Sequence, residues 1–331
     1  FAGNTTMLHF LMNLPAAGIA VSPFIPVTTG PHTFKAIDLS IDINPKGSVI
    51  ILPSVSAYIG ADTTAAVLAG GIYSAEKMSL IIDIGTNGEM VLGNKKRMIS
   101  CSTAAGPAFE GANIRNGTGG ITGAIDSIKI ASELEYTTIG NRPAVGLCGS
   151  GLVDAIAAML SLGIIDETGR ILNPEEIEGN LPHPILKRLV KIDNKTAFVI
   201  EWKENCESDS DIAITQKDVR EFQNAKAAIA AGIKILASRM QIKTGDIQKA
   251  FLAGGFGSYI NVDSAHKVGL LPDELRGRVE SIGNAAGEGA VEALLSSKRL
   301  GLAEKIRNRI EYIELSTAGD FSDEYIECLM F

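Results

Sequence analysis

The sequence predicts an α/β protein, and three observations carry that expectation. Short β-branched apolar runs close on glycine turns, as in Leu80-Ile-Ile-Asp-Ile-Gly-Thr-Asn-Gly-Glu-Met-Val-Leu92, and runs of this length bounded by glycine read as buried strands. Between such runs lie helical stretches built largely of alanine and glycine, at residues 60–69 and 283–294. The 331 residues, 46% of them hydrophobic, suffice for two domains that each bury a core.

Taken in order, Phe1-Ala-Gly-Asn-Thr-Thr-Met7 reads as a strand end turning into a helix, with Asn4 or Thr5 as cap and Pro15 as stop. Such a helix start can face an anion, or it can be a simple cap. Residues 16–47 read as loop with at most one short strand, Val49 to Leu52 as a strand, and residues 60–69 as a helix capped near Asp62 or Thr63. After the Leu80–Leu92 stretch, Arg97 to Cys101 is a third strand. Pro107 with Glu110 marks a helix start. Gly117 to Gly123 reads as loop. Ala144 to Asp154 is a strand-to-helix turn in which Gly149 and Gly151 flank Ser150. Ser150 lacks a histidine nearby in sequence, which argues against a serine nucleophile.

Thr196 to Trp202 alternates as a strand, and Asn205 to Asp211 is a polar, acidic loop. Residues 217–242 form the longest helical pattern, with Val219, Phe222, Ala225, Ile229, Ile233 and Leu236 on one face. The basic residues of this helix either touch a ligand or form a solvated face. Ala250 to Tyr259 is an apolar strand ending in Gly254, Gly255 and Gly257, bare backbone against which a flat ring or a phosphate can lie. A charged helix, a strand near Ile310 to Leu315 and a docked helix over Phe321 to Phe331 close the chain.

Composition excludes several classes. A formal charge of -8 argues against a nucleic-acid partner. No apolar run approaches the roughly 20 residues that span a bilayer. There is no signal-peptide pattern, and the opening at Phe1 is expected of a fragment. The four cysteines (Cys101, Cys148, Cys206, Cys328) lie far apart without a CxxC pair, as expected of reduced thiols in a cytoplasmic protein.

The Leu80–Leu92 stretch carries the chemistry. Gly85 and Gly88 let backbone N–H groups approach an anion, Thr86 and Asn87 add neutral donors, and Asp83 at the strand end is placed to hold a metal-bound water. Strand, glycine turn and returning strand make a phosphate clamp unlike a P-loop, whose glycines lead into a helix. A plain hairpin is the alternative.

Three strand-end glycine turns (83–89, 149–151, 254–257) and two small-residue helices stand in an order that resembles the superfamily of actin, sugar kinases, acetate kinases and heat-shock chaperone ATPases (ASKHA). In that resemblance residues 61–71 and 284–292 match the two connecting helices, 83–89 the second phosphate motif and 252–258 the adenosine motif. It implies two ribonuclease-H-like halves with ATP and magnesium between them. Residues 1–78 would belong to the first half and 79–331 to the second.

More specifically, the phrases Ala2-Gly-Asn-Thr-Thr-Met7, Leu52-Pro-Ser-Val-Ser-Ala-Tyr-Ile-Gly-Ala-Asp62, Asp83-Ile-Gly-Thr-Asn-Gly-Glu89, Ser102-Thr-Ala-Ala-Gly-Pro-Ala-Phe-Glu-Gly111, Cys148-Gly-Ser-Gly-Leu-Val-Asp154 and Leu252-Ala-Gly-Gly-Phe-Gly-Ser-Tyr-Ile260 resemble the ATPase region of reductive activators of corrinoid-dependent proteins. That family implies ATP-assisted transfer of one electron from a [2Fe–2S] domain to the Co(II) corrinoid of a methyl-transfer protein, with a homodimer as a possible assembly. By motif position, Asp83 would hold magnesium through water and Glu89 orient the attacking water. Gly85, Thr86, Asn87 and Gly88 would bind phosphates. Gly149, Ser150, Gly151, Gly254, Gly255, Gly257 and Ser258 would line the nucleotide. The chain departs from the family in lacking a cluster-binding cysteine set and an Asp-x-Gly-Thr strand before Phe1. The redox centre and part of the first half are therefore expected outside it. Two rival readings are a small-molecule kinase of the same fold, with Asp154 or Asp62 as base, and a non-hydrolysing docking module.

Overall fold

The computed structural model describes residues 1–177 and 181–331. The chain begins with α1 (Thr5–Leu11) and α2 (Ala17–Ala20), then a hairpin of β1 (His32–Lys35) and β2 (Ser48–Ile51), and helix α3 (Ala61–Gly70). Three antiparallel strands follow: β3 (Ser79–Ile84), β4 (Gly88–Gly93) and β5 (Met98–Thr103). An insertion comes next, with β6 (Ala124–Ile130), β7 (Leu134–Thr138) and β8 (Gly146–Leu147), α4 (Gly149–Ser161), α5 (His183–Leu186), and a second sheet of β9 (Leu189–Ile192), β10 (Lys195–Glu201) and β11 (Ile212–Ile214). Helix α6 (Gln216–Arg239) leads back to β12 (Lys249–Ala253), and then come α7 (Gly254–Gly257), α8 (Val262–Lys267), β13 (Val279–Ser281), α9 (Ala285–Leu295), α10 (Ser297–Arg307), β14 (Ile310–Tyr312) and α11 (Gly319–Glu327).

The central sheet has six strands in the order β13-β12-β3-β4-β5-β14, parallel at both edges and antiparallel in the middle. Helices cover both faces, which is why β3 reads as a continuous apolar run. Leu80, Ile82, Met90 and Leu92 pack with Phe222, Ile229 and Ile233 of α6. The alternate residues Ile81 and Val91 pack with Ala65 and Val67 of α3 and with Ala285 of α9. Burying each large α6 side chain contributes about 1.5–3 kcal/mol over leaving it exposed.

Helices α3 and α9 approach closely because they are made of small residues. A Cβ on Gly289 would stand 2.0 Å from the Ala65 carbonyl oxygen. The sequence expectation that Asp62 or Thr63 caps α3 is corrected. The cap residue is Gly60, with no side-chain bond, and the carbonyl of Gly3 accepts the N–H groups of Ala61 at 2.9 Å and Asp62 at 3.3 Å. Only glycine fits at position 60, where a Cβ would lie 2.6 Å from Asn4 Cα. At α1 the cap is Asn4, whose side chain accepts from the Met7 N–H.

Three other expectations need adjustment. Pro107–Glu110 is a single 3-10 turn, stopped at Gly111 with φ 84°. The glycines after β12 form the short helix α7. On α6, Lys226 neither touches the cavity described below nor faces solvent. It is buried, donates to the Met330 carbonyl and lies 5.0 Å from the Phe331 ring centroid, so it helps dock the C-terminal segment. Helix α11 rests on α6, tied by the bidentate pair Arg239–Asp320 at 2.8 and 2.9 Å.

Candidate functional site

The β3–β4 hairpin sets Asp83 directly opposite Glu89. Paired residues of an antiparallel ladder share a face, here the face of Ile81 and Val91 that α3 covers, and Asp62 lies in the first turn of α3. Burial, then the charge of Asp62, pushes the Asp83 carboxyl up to about 6. Burial, then the charges of Asp62 and Asp83, pushes Glu89 up to about 7. Burial raises Asp62 too, opposed by hydrogen bonds from the backbone that include Thr63 N–H at 2.8 Å. Among the described residues no cation offsets the burial and mutual repulsion of Asp62, Asp83 and Glu89. The cluster therefore concentrates negative charge in a poorly hydrated place, where a cation is the natural complement.

The glycines divide into two groups. Gly88 is required for packing, since a Cβ there would stand 2.0 Å from Ile229 Cδ1. Gly254, at φ +84°, brings α7 against Asp83, and a Cβ there would lie 2.3 Å from Asp83 Oδ1. Gly149, Gly151 and Gly257 are likewise close to neighbouring atoms, with a Gly151 Cβ falling 2.4 Å from the Ile125 carbonyl. Gly85 and Gly255 instead face open space. The nearest atoms to a Gly85 Cβ are 4.0 Å away and a Gly255 Cβ meets nothing within 4 Å. These two glycines leave space beside their backbone, although the Gly85 N–H itself donates to the Asn87 carbonyl at 2.9 Å. The others hold the frame.

Beside the hairpin turn lies a cavity of about 580 Å³, walled by Phe109, Glu110, Gly149, Ser150, Gly255, Phe256 and Tyr259 among others. Phe109 and Phe256 stack with centroids 4.7 Å apart and stiffen one wall. Of the residues expected from the sequence, Gly149, Ser150 and Gly255 line this cavity, whereas Asp83 and Glu89 lie behind the turn on the α3 side. Glu110 joins the two regions: it lines the cavity and accepts from Thr86 Oγ1 at 2.6 Å. Sequence reasoning missed Glu110 as a site residue, because its contact with Thr86 exists only in the folded chain.

Two hydroxyls expected at the ligand have local partners. Ser150 Oγ donates to the Asp126 carbonyl at 2.8 Å, which agrees with the sequence argument against a serine nucleophile, and Ser258 Oγ donates to the Gly254 carbonyl at 2.8 Å. Asp154 is buried and accepts the Ile128 N–H at 3.3 Å, so it braces β6 and does not line the cavity. Among the described residues no group of three or more His, Cys, Asp or Glu side chains is arranged to hold a metal ion, so any cation here would need ligands from water or a bound anion.

Two family models divide the chain between them. The RACo middle region matches residues 1–75, and the C-terminal domain of RACo, the ASKHA domain, matches residues 77–331. The chain belongs to the RACo family. The corrinoid activation enzyme RamQ of Eubacterium limosum is 39% identical over 334 residues, covering 100% of this chain and 55% of RamQ. A [Co(II) methylated amine-specific corrinoid protein] reductase of Methanosarcina barkeri is 27% identical over 303 residues, covering 84% of this chain and 50% of the reductase. Among solved structures, a reductive activator for a corrinoid, iron-sulfur protein superposes with a TM-score of 0.90 at 36% identity, over 100% of this chain and 52% of that one. The RACo-family chain thus spans about half the length of the relatives it matches, and it has the α/β fold of an ASKHA domain. Among its described residues no helix is long and apolar enough to cross a membrane.

Proposed function

We propose that this chain is the nucleotide-binding part of a reductive activator that prepares a corrinoid protein for methyl transfer. The observation that carries the reading is the group of Asp62, Asp83 and Glu89, half-buried and raising one another's carboxyl pKa, beside an exposed turn in which Gly85 leaves open space next to its backbone. Both features fit magnesium-ATP. Uncompensated carboxylates favour a divalent cation, and the open backbone at Gly85 and Gly255 suits phosphate and nucleoside.

When bound, the metal nucleotide supplies a hydrolysable phosphoanhydride. Asp83 would hold magnesium through water, and Gly85, Thr86, Asn87 and Gly88 would donate to phosphate oxygens, the Gly85 N–H and Thr86 hydroxyl exchanging their present bonds to Asn87 and Glu110 for the ligand. Gly149, Ser150 and Gly255 would border the nucleoside, with Gly151, Gly254, Gly257 and Ser258 as the frame behind them. Glu89, its carboxyl held up to about 7 by burial and by Asp62 and Asp83, is suited to orient or deprotonate a water near neutral pH.

Residues 1–78 and 79–331 act in this proposal as two halves hinged at the small-residue helices, and nucleotide favours one arrangement over the other. That preference would drive one electron from a [2Fe–2S] cluster elsewhere in the complete protein to the Co(II) corrinoid of a methyl-transfer protein. The same reading makes the protein cytoplasmic and leaves a homodimer as one assembly open to it. What supports it is membership of the RACo family and the corrinoid relatives named above.

The test is calorimetric titration of magnesium-ATP into the complete natural protein and its Asp83→Ala variant. Binding that is lost in the variant is the expected result. Absence of binding by the unaltered protein would overturn the nucleotide reading and leave a docking module as the better account.

A further inference from the structure

Strand β6 breaks its register with β7 between Ile125 and Ser127, which makes Asp126 the extra residue of a β-bulge. In an unbroken strand Asp126 would share the face of Ala124 and Ile128, both buried. The bulge turns it off that face, and it lines the cavity beside the hairpin turn. Its position is fixed twice: Thr137 Oγ1 donates to its Oδ1 at 2.6 Å, and Ser150 Oγ donates to its carbonyl at 2.8 Å. Its Oδ2 accepts no hydrogen bond from the described residues.

Asp126 and Glu110 are the charged side chains of the cavity wall, and no basic residue lines it among those described. Glu110 is engaged by Thr86 of the hairpin turn. Asp126 is held instead at the start of α4, braced by Ser150.

We propose that Asp126 is the specificity-determining residue that reads the sugar of the nucleotide, its Oδ2 accepting hydrogen bonds from the 2′- and 3′-hydroxyls of a ribose. The inference rests on the nucleotide reading of this cleft and deepens it. A carboxylate only accepts, so it selects donors and repels phosphate oxygens. Direct phosphate contact is therefore disfavoured at Asp126, which leaves its free oxygen to hydroxyl donors. A vicinal diol presents two adjacent donors to one acceptor group, while the flat base finds its match in the apolar surfaces of Ile139, Phe256 and Tyr259. A site built to accept from a hydroxyl rejects an analogue that lacks it, because the acceptor is then left unpaired.

The experiment measures affinities of ATP, 2′-deoxy-ATP, 3′-deoxy-ATP and inosine triphosphate, each with magnesium, for the complete natural protein and for Asp126→Ala and Asp126→Asn. Melting without ligand checks that each variant folds. The unaltered protein should prefer ATP to either deoxy analogue by about tenfold, the size of a hydrogen bond to a charged group. Asp126→Ala should bring that ratio close to one and leave the ratio of ATP to inosine triphosphate unchanged.

The proposal is overturned if the unaltered protein ignores the sugar, if Asp126→Ala retains the preference, or if the variant alters discrimination of the base instead. Because the first of these needs no variant, the proposal can fail even where a substitution prevents folding. Loss of all nucleotide binding by the unaltered protein would instead overturn the function proposed above. ATP binding that depends on Asp83 but shows no sugar preference would overturn the role of Asp126 alone.

Discussion

Asp83 and Glu89 face each other across a two-strand ladder, an arrangement that costs stability for as long as both are ionised. Their carboxyls titrate near 6 and 7 in the folded chain, above the ordinary carboxylate range of an unfolded one. Between about pH 4 and 7 the folded state thus binds more protons than the unfolded state, so this cluster's contribution to stability falls as pH rises through that window. Asp83→Asn should flatten the fall and, without ligand, raise stability at pH 8 by about 2 kcal/mol. Melting curves of the two proteins between pH 5 and 8 check this. A variant less stable than the parent at pH 8 would show that Asp83 is already neutralised. None of this strain is visible in the Asp83-Ile-Gly-Thr-Asn-Gly-Glu89 string itself. The string identifies the turn and the carboxylates, but the third member, Asp62, reaches them only through the seating of α3 on the sheet. For the same reason Glu110 was out of reach of sequence reasoning: nothing in the spacing of Thr86 and Glu110 announces a hydrogen bond.

At the scale of elements, the sequence was readable wherever a period ran unbroken. Helix α6 has a clean apolar stripe, β3 and β4 are continuous apolar runs, and α3 and α9 declare themselves by their alanines and glycines. The hairpin of β6 and β7 escaped notice because Asp126 and Ser127 interrupt the alternation at the bulge. The cap of α3 escaped because its acceptor belongs to Gly3, a tertiary partner that no local rule can supply.

The contact between α3 and α9 yields a paired prediction. Gly289→Ala would force a methyl to 2.0 Å from the Ala65 carbonyl and should destabilise the fold by about 2 kcal/mol, within the range for overpacking. Gly301→Ala, in α10 with nothing within 4 Å, should stabilise by about 0.5–1 kcal/mol through helix propensity. Urea denaturation of both variants decides the matter. Equal effects would mean that the α3–α9 contact is looser than its geometry implies.

For the whole molecule, the two faces of one six-stranded sheet carry the two larger buried clusters, so a ligand held at the strand ends would bear on both. A saturating ligand that binds only the folded state adds stability by mass action. At a concentration one hundred times its Kd, magnesium-ATP should add about 2.7 kcal/mol to unfolding. The gain should vanish in Asp83→Ala, as read by thermal melting with and without nucleotide. A gain that persists in the variant would place the binding site away from Asp83.

The carbonyl of Gly3 has a mechanical consequence. A helix closed by its own side chain can slide along its neighbours while keeping its end intact. Helix α3 has no such freedom, because its leading N–H groups are fastened to the turn that launches α1, and Gly60 leaves no gap between them. A displacement of the opening turn would therefore be felt first at the start of α3, where Asp62 lies.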